Sequence, residues 1–245
     1  MKEKNSPLHK LWNILNDAED YLKDGYRSEQ QQISIVENVS DKAADNTVES
    51  SAKPNTADTA ESTDNLEDIA GEVAHCTKCI LHKERNKTVP GEGPSNPLVM
   101  CIGEAPGAEE DKQGRPFVGR AGQYLDKWFA AIGMNRSEHF FIGNILKCRP
   151  PGNRDPYPDE INLCIPYLKR QIQVLQPKVI LTISRFAAQQ LLDTTESTNR
   201  LRGQTHYYMG IPLIVTYHPS AVLRNPQLRA PVWEDLKQLR DMVKT

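Results

Sequence analysis

Four short apolar runs, separated by segments with helical character, constrain the fold of this 245-residue chain more than any other feature. The runs are LVMCIG at 98–103, FFIGNI at 140–145, VILTIS at 179–184 and PLIVTY at 212–217. Helices are predicted over 121–132, 159–175, 185–192 and 232–243. Continuous apolar strands that alternate with helices are typical of a parallel sheet covered on both faces. Ligands of such sheets bind beyond the carboxyl ends of the strands, so the residues that follow each run are the candidate site.

Residues 1–65 have a different composition from the rest of the chain. Apolar residues at helical spacing predict an amphipathic helix within 1–26, which either packs on the main domain or docks a protein partner. Residues 27–65 are polar and acidic, and they predict a flexible linker, because such a segment buries too little apolar surface to offset its ordering entropy. The main domain is predicted over 66–245. The whole chain has a net charge of −2.

The chain shows neither a secretory signal at its N-terminus nor an apolar run of membrane-spanning length. We therefore expect a soluble protein without membrane association, located in the cytoplasm. Thiols stay reduced in that compartment, which suits metal-binding cysteines.

Four of the five cysteines frame the main domain. Cys76 and Cys79 form a C-x2-C pair, and Cys148 and Cys164 form a second, wider pair. Four thiolates in two pairs predict a metal centre. The spacing leaves zinc and an iron–sulfur cluster open and slightly favours zinc. Cys101 lies within an apolar run and is predicted to be a buried strand residue.

The loops after the first two runs carry polar and aromatic candidates. Phe117, in the glycine-rich loop 103–122, suits stacking on a planar group. Asn144 offers an amide donor and acceptor that match a base edge. Lys147, Arg149 and Arg154 are candidate phosphate contacts.

The loop after the last run, YHPSAVLRNP, carries a histidine at the carboxyl end of a strand. A ring nitrogen of His218 there can donate to developing negative charge. Ser220 and Arg224 suit phosphate contacts, and Leu223 suits a wedge inserted into a base stack.

The motifs GEAPGAEEDKQGRPFVGRAG, NILKCRPPGNRDP and YHPSAVLR, together with the four cysteines, resemble the family 4 uracil-DNA glycosylases, the iron–sulfur branch of that superfamily. The resemblance covers roughly 66–245. It implies a three-layer α/β/α sandwich around a four-stranded, mainly parallel sheet. It also implies hydrolysis of the N-glycosidic bond of deoxyuridine in single- or double-stranded DNA, which leaves an abasic site without strand cleavage. The cofactor implied is one [4Fe–4S] cluster on Cys76, Cys79, Cys148 and Cys164.

The same resemblance implies roles for individual residues. Phe117 would stack on the flipped uracil, Asn144 would read its polar edge, and His218 would stabilise the leaving base. Gly103 and Ala105 would line the base pocket, and Ser220, Leu223, Arg224 and Arg149 would contact DNA. Ala105 stands where other uracil glycosylases have an aspartate. The candidates for handling the attacking water are therefore Glu104 and Glu110, with Asp111 behind them, and Asn153.

Two other functions remain open from the sequence. One is a non-catalytic iron–sulfur or zinc module that binds DNA or uracil and is linked to the replication machinery by its N-terminal helix. The other is an enzyme acting on free nucleotides, which would need a phosphate loop that the sequence lacks. For the glycosylase, we expect a monomer that associates with the nucleoid through DNA.

Overall fold

A computed structural model describes residues 64–244. The predicted N-terminal helix lies outside the described residues, and so does the predicted linker except for Asp64 and Asn65. Within 64–244, no helix is both long and apolar enough to cross a membrane.

The centre of the domain is a five-stranded sheet of order β2-β1-β3-β5-β4. Its strands are β1 Val99–Gly103, β2 Phe140–Asn144, β3 Val179–Thr182, β4 His206–Tyr208 and β5 Ile211–Val215. The four strands predicted from apolar runs are β1, β2, β3 and β5, and they pair in parallel. The α/β class and the mainly parallel sheet are thus confirmed.

The prediction of four strands was wrong by one. The fifth strand, β4, pairs antiparallel with β5 at the sheet edge. Its three residues are half-buried or exposed, so they form no apolar run. Met209 and Gly210 join the two strands with φ values of 50° and 78°. Positive φ at both central residues is typical of a type I′ hairpin turn. The pair Met-Gly is not among the residue pairs that usually predict this turn.

Nine α-helices of 4 to 18 residues surround the sheet in the described part of the chain. They are α1 Leu66–His75, α2 Ala108–Gln113, α3 Arg120–Ala131, α4 Arg136–His139, α5 Pro158–Leu175, α6 Arg185–Leu192, α7 Thr198–Leu201, α8 Pro219–Arg224 and α9 Arg229–Lys244. The four helices predicted in the main domain correspond to α3, α5, α6 and α9.

Alternate residues of each strand point to opposite faces of the sheet, which divides the core into two clusters. Met100 and Ile102 of β1 pack with α1, α5 and α6 on one face. Val99 and Cys101 pack with α3 and α9 on the other face. Cys101 is fully buried, as predicted, and burial raises the pKa of its thiol. The structure is therefore a three-layer α/β/α sandwich.

Two residues that precede the predicted domain boundary, Asp64 and Asn65, contact the domain. The Asn65 side chain caps α1 by accepting from the backbone N–H of Asp68 at 2.8 Å. Asp64 accepts two hydrogen bonds from Arg170 on α5, at 2.6 and 2.7 Å. The same guanidinium also bonds Glu72 of α1. These contacts hold α1 against α5. Helix α1 ends at His75, directly before the first cysteine pair.

Candidate active site and cysteine cavity

A cleft of about 620 Å³ opens at the carboxyl ends of the parallel strands, a volume in the range of small-molecule sites. It brings together most of the predicted site residues: Glu104, Ala105, Glu110, Phe117, Asn144, Asn153, His218, Ser220 and Arg224. Gly103, Arg149 and Leu223 are not part of its lining. Gly103 nevertheless affects the shape of the cleft, because it lies between the side chains of Asn144 and Phe117.

Phe117 forms one wall in a backbone conformation that is rare for its residue type. Its φ is 52°, in the left-handed region, and its side chain is buried. Two charged side chains hold this geometry. Glu110 Oε1 accepts from the N–H groups of Val118 and Gly119, both at 2.9 Å. Arg136 Nη2 donates to the Phe117 carbonyl at 2.7 Å. Strain of this kind persists where surrounding contacts over-determine it, and it concentrates at functional sites.

Asn144, the last residue of β2, faces Phe117 across Gly103. Asn144 and Gly103 are register partners in neighbouring strands. A Cβ added at Gly103 would lie 2.4 Å from Asn144 Oδ1 and 2.7 Å from the Phe117 ring, so only glycine allows both side chains this close. Asn144 is 1% exposed, and its Oδ1 has no hydrogen-bond partner among the described residues. A buried unpaired acceptor is costly, so this atom is prepared for a donor on a ligand.

His218 stands opposite, at the N-terminus of α8. Its Nδ1 accepts from the Ser220 backbone N–H at 3.1 Å and lies 2.7 Å from Ser220 Oγ. An Nδ1 that accepts leaves the ring proton on Nε2, which makes Nε2–H a hydrogen-bond donor. Burial, with a smaller contribution from Arg224, lowers the pKa of His218 to about 4. The ring is therefore neutral at physiological pH, and its centroid lies 5.8 Å from that of Phe117.

Glu104 is the half-buried carboxylate at the start of the loop after β1. Its Oε2 accepts from Ser184 Oγ at 3.2 Å. Burial raises the pKa of Glu104, and the Ser184 hydrogen bond opposes that shift. A raised pKa makes this carboxylate a stronger base than an exposed glutamate.

The other acidic candidates differ in what they contact. Glu110 lines the cleft, but its Oε1 is occupied by two loop amides, which favours a role in holding Phe117. Asp111 is 1% exposed and turns away, accepting from the backbone N–H and side chain of Asn86 at 3.0 and 2.5 Å. Asp111 therefore fastens the loop and takes no part in the cleft. Asn153 lines the cleft with φ 55°, and its Oδ1 accepts from Arg149 Nε at 2.7 Å.

The predicted DNA-contacting residues differ in whether their side chains are exposed or already contact other groups of the protein. Arg224 is exposed at the end of α8, whereas Ser220 is committed to His218 and Leu223 is partly buried against the core. Arg154 forms two hydrogen bonds with Glu160, at 2.9 and 2.6 Å.

The prediction that Lys147 contacts phosphate was wrong. The side chain is 1% exposed, and its ammonium donates to the Asn144 carbonyl and to Gln171. Burial lowers its pKa to about 8.

Sequence reasoning missed the residues that follow β3. Ser184, Arg185 and Phe186 line the cleft at the start of α6. Ser184 caps this helix by accepting from the backbone N–H groups of Phe186 and Ala187 at 3.1 and 3.4 Å. The carboxyl-end rule, applied to the third strand as it was to the others, would have identified them.

The four paired cysteines line a second cavity, between α1, the segment 76–85 and the start of α5. Arg85 donates to Cys148 Sγ at 3.3 Å and to the Cys76 carbonyl at 2.8 Å. The Lys147 backbone N–H donates to Cys164 Sγ, also at 3.3 Å. Cysteines up to 88 residues apart, from Cys76 to Cys164, thus line the same cavity, as the sequence predicted.

The donor set of this cavity fits a four-thiolate centre. Burial raises the pKa of Cys79 and Cys148, and that of Cys164 to about 11, so binding of a metal group must displace the thiol protons. Within 64–244, no three His, Cys, Asp or Glu side chains converge tightly enough for a single ion.

Comparison with known proteins agrees with this geometry. Residues 90–237 match the model of the uracil DNA glycosylase superfamily. The chain is 44% identical over 191 residues to the type-4 uracil-DNA glycosylase of Sulfurisphaera tokodaii, covering 74% of this chain and 86% of the relative. It is 42% identical over 187 residues to that of Archaeoglobus fulgidus, covering 73% and 94%. Identity to that of Thermotoga maritima is 39% over 183 residues, covering 73% and 95%.

A mainly parallel sheet with a cleft at the carboxyl ends of its strands is the arrangement in which sheets of this class bind their ligands. The chain belongs to the uracil DNA glycosylase superfamily. Its similarity to type-4 enzymes confirms the resemblance that the three loop motifs and four cysteines carry.

Proposed function

We propose that this protein is a uracil-DNA glycosylase that hydrolyses the bond between N1 of uracil and C1′ of its deoxyribose, releasing uracil and leaving an abasic site. The names of the relatives support this activity, and the cleft contains a group for each step of the reaction. The observation that carries the proposal is the buried, unpaired Asn144 Oδ1 beside the fixed ring of Phe117.

Base recognition comes first. Uracil has to leave the base stack to reach a cleft of this depth. Stacked against Phe117, it presents its N3–H to Asn144 Oδ1 and its O4 to the Asn144 amide. Cytosine has an acceptor at N3 and an amino group at position 4, so both contacts would be mismatched. Asn144 therefore discriminates between the two bases.

Departure of the base comes next. As the C1′–N1 bond breaks, uracil takes the electron pair and becomes an anion with charge on O2. His218, neutral and protonated on Nε2, donates to that oxygen without giving up its proton. Ser220 is a positioning residue here, because its N–H fixes the tautomer of His218.

Water completes the reaction. Departure of the base leaves positive character on C1′, and a water oxygen bonds to that carbon while its proton passes to a base or to solvent. The Asn153 side chain can orient this water, and the Glu104 carboxylate lies in the same cleft with a raised pKa. We assign water handling to this pair and the holding of Phe117 to Glu110.

For the cysteine cavity, we propose one [4Fe–4S] cluster bound by Cys76, Cys79, Cys148 and Cys164, with zinc as the alternative. When bound, the cluster supplies cross-links between the segment 76–79, the loop after β2 and helix α5. That role is structural, since the cavity is separate from the cleft residues that contact the base. For the parts of the chain outside the structure, we propose a tether at residues 27–63 and a helix that docks a partner within 1–26.

Excision from an oligonucleotide with a single deoxyuridine, followed by alkali to cut abasic sites, tests the proposal. Multiple turnovers on single- or double-stranded DNA, with none on a matched deoxycytidine strand, are expected. Binding of the uracil strand without turnover by brown, cluster-loaded protein would overturn the glycosylase and support the non-catalytic binding module. We expect the enzyme to act as a monomer on chromosomal DNA in the cytoplasm.

A further inference from the structure

We propose that Lys147 is a positioning residue that links the four-cysteine centre to the base-reading Asn144, so that the state of one affects the other. The inference rests on the proposed function, because that function makes Asn144 the residue that reads the base. The contacts that join Lys147 to Asn144 and to Cys164 do not depend on it.

Lys147 lies between the two sites in sequence and in space. It follows Asn144 by three residues and directly precedes Cys148. Its backbone N–H donates to Cys164 Sγ at 3.3 Å, and the residue lines the cysteine cavity. Its Nζ donates to the Asn144 carbonyl at 3.0 Å. One residue therefore contacts a cysteine ligand through its backbone and the base reader through its side chain.

The surroundings of Lys147 leave it little freedom to move. The side chain is 1% exposed, as is Gln171, whose Oε1 accepts from Nζ at 2.7 Å. Gln171 Nε2 donates in turn to the Pro90 carbonyl at 2.8 Å. The Lys147 carbonyl accepts from the Val89 N–H, also at 2.8 Å. A displacement of the backbone at Cys148 or Cys164 is consequently passed to Nζ and to the strand end at Asn144.

The test compares Lys147→Met with Lys78→Met in full-length, cluster-loaded protein. Methionine keeps the length and removes the donors. Lys78 lines the same cysteine cavity, but its ammonium lies 4.7 Å over the Tyr167 ring and does not contact Asn144. The readout is the ratio of dissociation constants for DNA containing non-hydrolysable 2′-fluoro-deoxyuridine and for the same strand containing deoxycytidine. Iron content per chain is measured in parallel.

At equal iron content, Lys147→Met is expected to reduce this ratio about tenfold, the size of one charge-assisted hydrogen bond. It should lower kcat for uracil excision while KM changes less, whereas Lys78→Met should stay within about twofold of wild type for both, as a peripheral charge does. An unchanged ratio and kcat in loaded Lys147→Met would overturn the inference. So would a loss of iron with normal kcat per loaded chain, which a merely structural role predicts.

The coupling has to be reciprocal, which gives a readout independent of catalysis. Binding of the fluorinated strand should alter the visible circular dichroism of the cluster in wild type and in Lys78→Met, but not in Lys147→Met. A wild-type spectrum that does not respond would overturn the link. If Lys147→Met does not accumulate, Gln171→Met serves as the second variant, because it removes the other acceptor of the Lys147 ammonium. We expect it to reduce the same ratio of dissociation constants about threefold, the size of a weak hydrogen bond. An unchanged ratio would overturn the inference. Absence of excision by wild type would refute the proposed function, while the binding ratio would still test Lys147.

Discussion

The uracil cleft and the cysteine cavity lie on either side of the same short segment, from Asn144 to Cys148, yet their geometries are maintained differently. The cleft is held by contacts that the chain makes with itself: Glu110 with two loop amides, Ser220 with His218, and Ser184 with Glu104. In the cavity, Cys148 Sγ accepts from the Arg85 guanidinium, and Cys164 and Cys79 accept from the backbone N–H groups of Lys147 and Leu81. The cleft is therefore preorganised by hydrogen bonds among its own residues, whereas we expect the four sulfurs to be cross-linked only by the group that they bind.

The largest loss of activity is expected when a cysteine of the cavity is replaced. Cys164→Ala removes one of the four thiolates that would hold the metal group. We expect colourless, poorly soluble protein with almost no excision activity, because metal binding and folding are coupled at such sites. Visible absorbance, iron content and solubility measure this. Cys101→Ala is the matched control, since Cys101 is buried in β1 away from the cavity. Stable, active Cys164→Ala protein would contradict the difference drawn between the two regions.

Breaking the cleft should leave the fold intact. His218→Leu removes the donor to uracil O2, and we expect kcat to fall about 10²- to 10³-fold, as for loss of one oxyanion donor. Thermal unfolding and iron content should stay near wild type, measured beside single-turnover excision. A loss of less than tenfold would remove His218 from its role.

The pH dependence of His218 follows from its pKa of about 4, below the ordinary 6.5. The neutral donor persists down to about pH 4, so excision should show no inflection from this group between pH 8 and 5. The unfolded chain binds a proton at this ring below pH 6.5 that the folded chain does not. Stability from this group is therefore full above pH 6.5 and declines as the pH falls toward 4, and His218→Leu should flatten that decline.

Asn144→Asp tests base reading within an intact cleft. A carboxylate cannot donate to uracil O4, and we expect uracil excision to fall roughly tenfold to a hundredfold, the size of a lost hydrogen bond to a buried group. A protonated aspartate would instead match cytosine, so excision from deoxycytidine strands should appear or rise at low pH. Unchanged activity and selectivity would mean that Asn144 does not read the base.

Glu110 distinguishes holding from catalysis through a pair of variants. Glutamine retains an oxygen that can accept from the amides of Val118 and Gly119, whereas alanine does not. Glu110→Gln should keep kcat within about threefold of wild type, and Glu110→Ala should lose about tenfold or more, as two hydrogen bonds predict. Equal and large losses in both variants would instead assign Glu110 to the attacking water.

The smallest effect is expected at the edge of the described domain. A chain beginning at Leu66 lacks the Asn65 cap of α1 and the Asp64 partner of Arg170. We expect its free energy of unfolding to fall by about 1 kcal/mol for the lost cap, with a smaller contribution from the ion pair. Excision should remain unchanged relative to a chain beginning at Asp64. Equal denaturation midpoints would show that these two residues are dispensable.

Local sequence was sufficient where the residues after a strand form a distinctive motif. Apolar runs located four of the five strands, and the loop motifs identified Phe117, Asn144 and His218. β4 escaped because a three-residue edge strand is stabilised by its pairing with β5 rather than by its own apolar pattern. The residues after β3 were missed because Ser184 and Phe186 form no recognisable motif, although their position at the carboxyl end of a strand marked them as candidates.

The sequence by itself determined the α/β class, the family, the cysteine set and the three residues that we propose to surround the base, because these depend on residue type and order along the chain. Tertiary structure decided which groups the charged side chains contact. It placed Lys147 inside the core instead of on DNA, turned Asp111 away from the cleft, and committed Glu110 to loop amides. A charged residue has the same letter in the sequence whether it is solvated, paired or buried, and only packing with distant segments selects among these states.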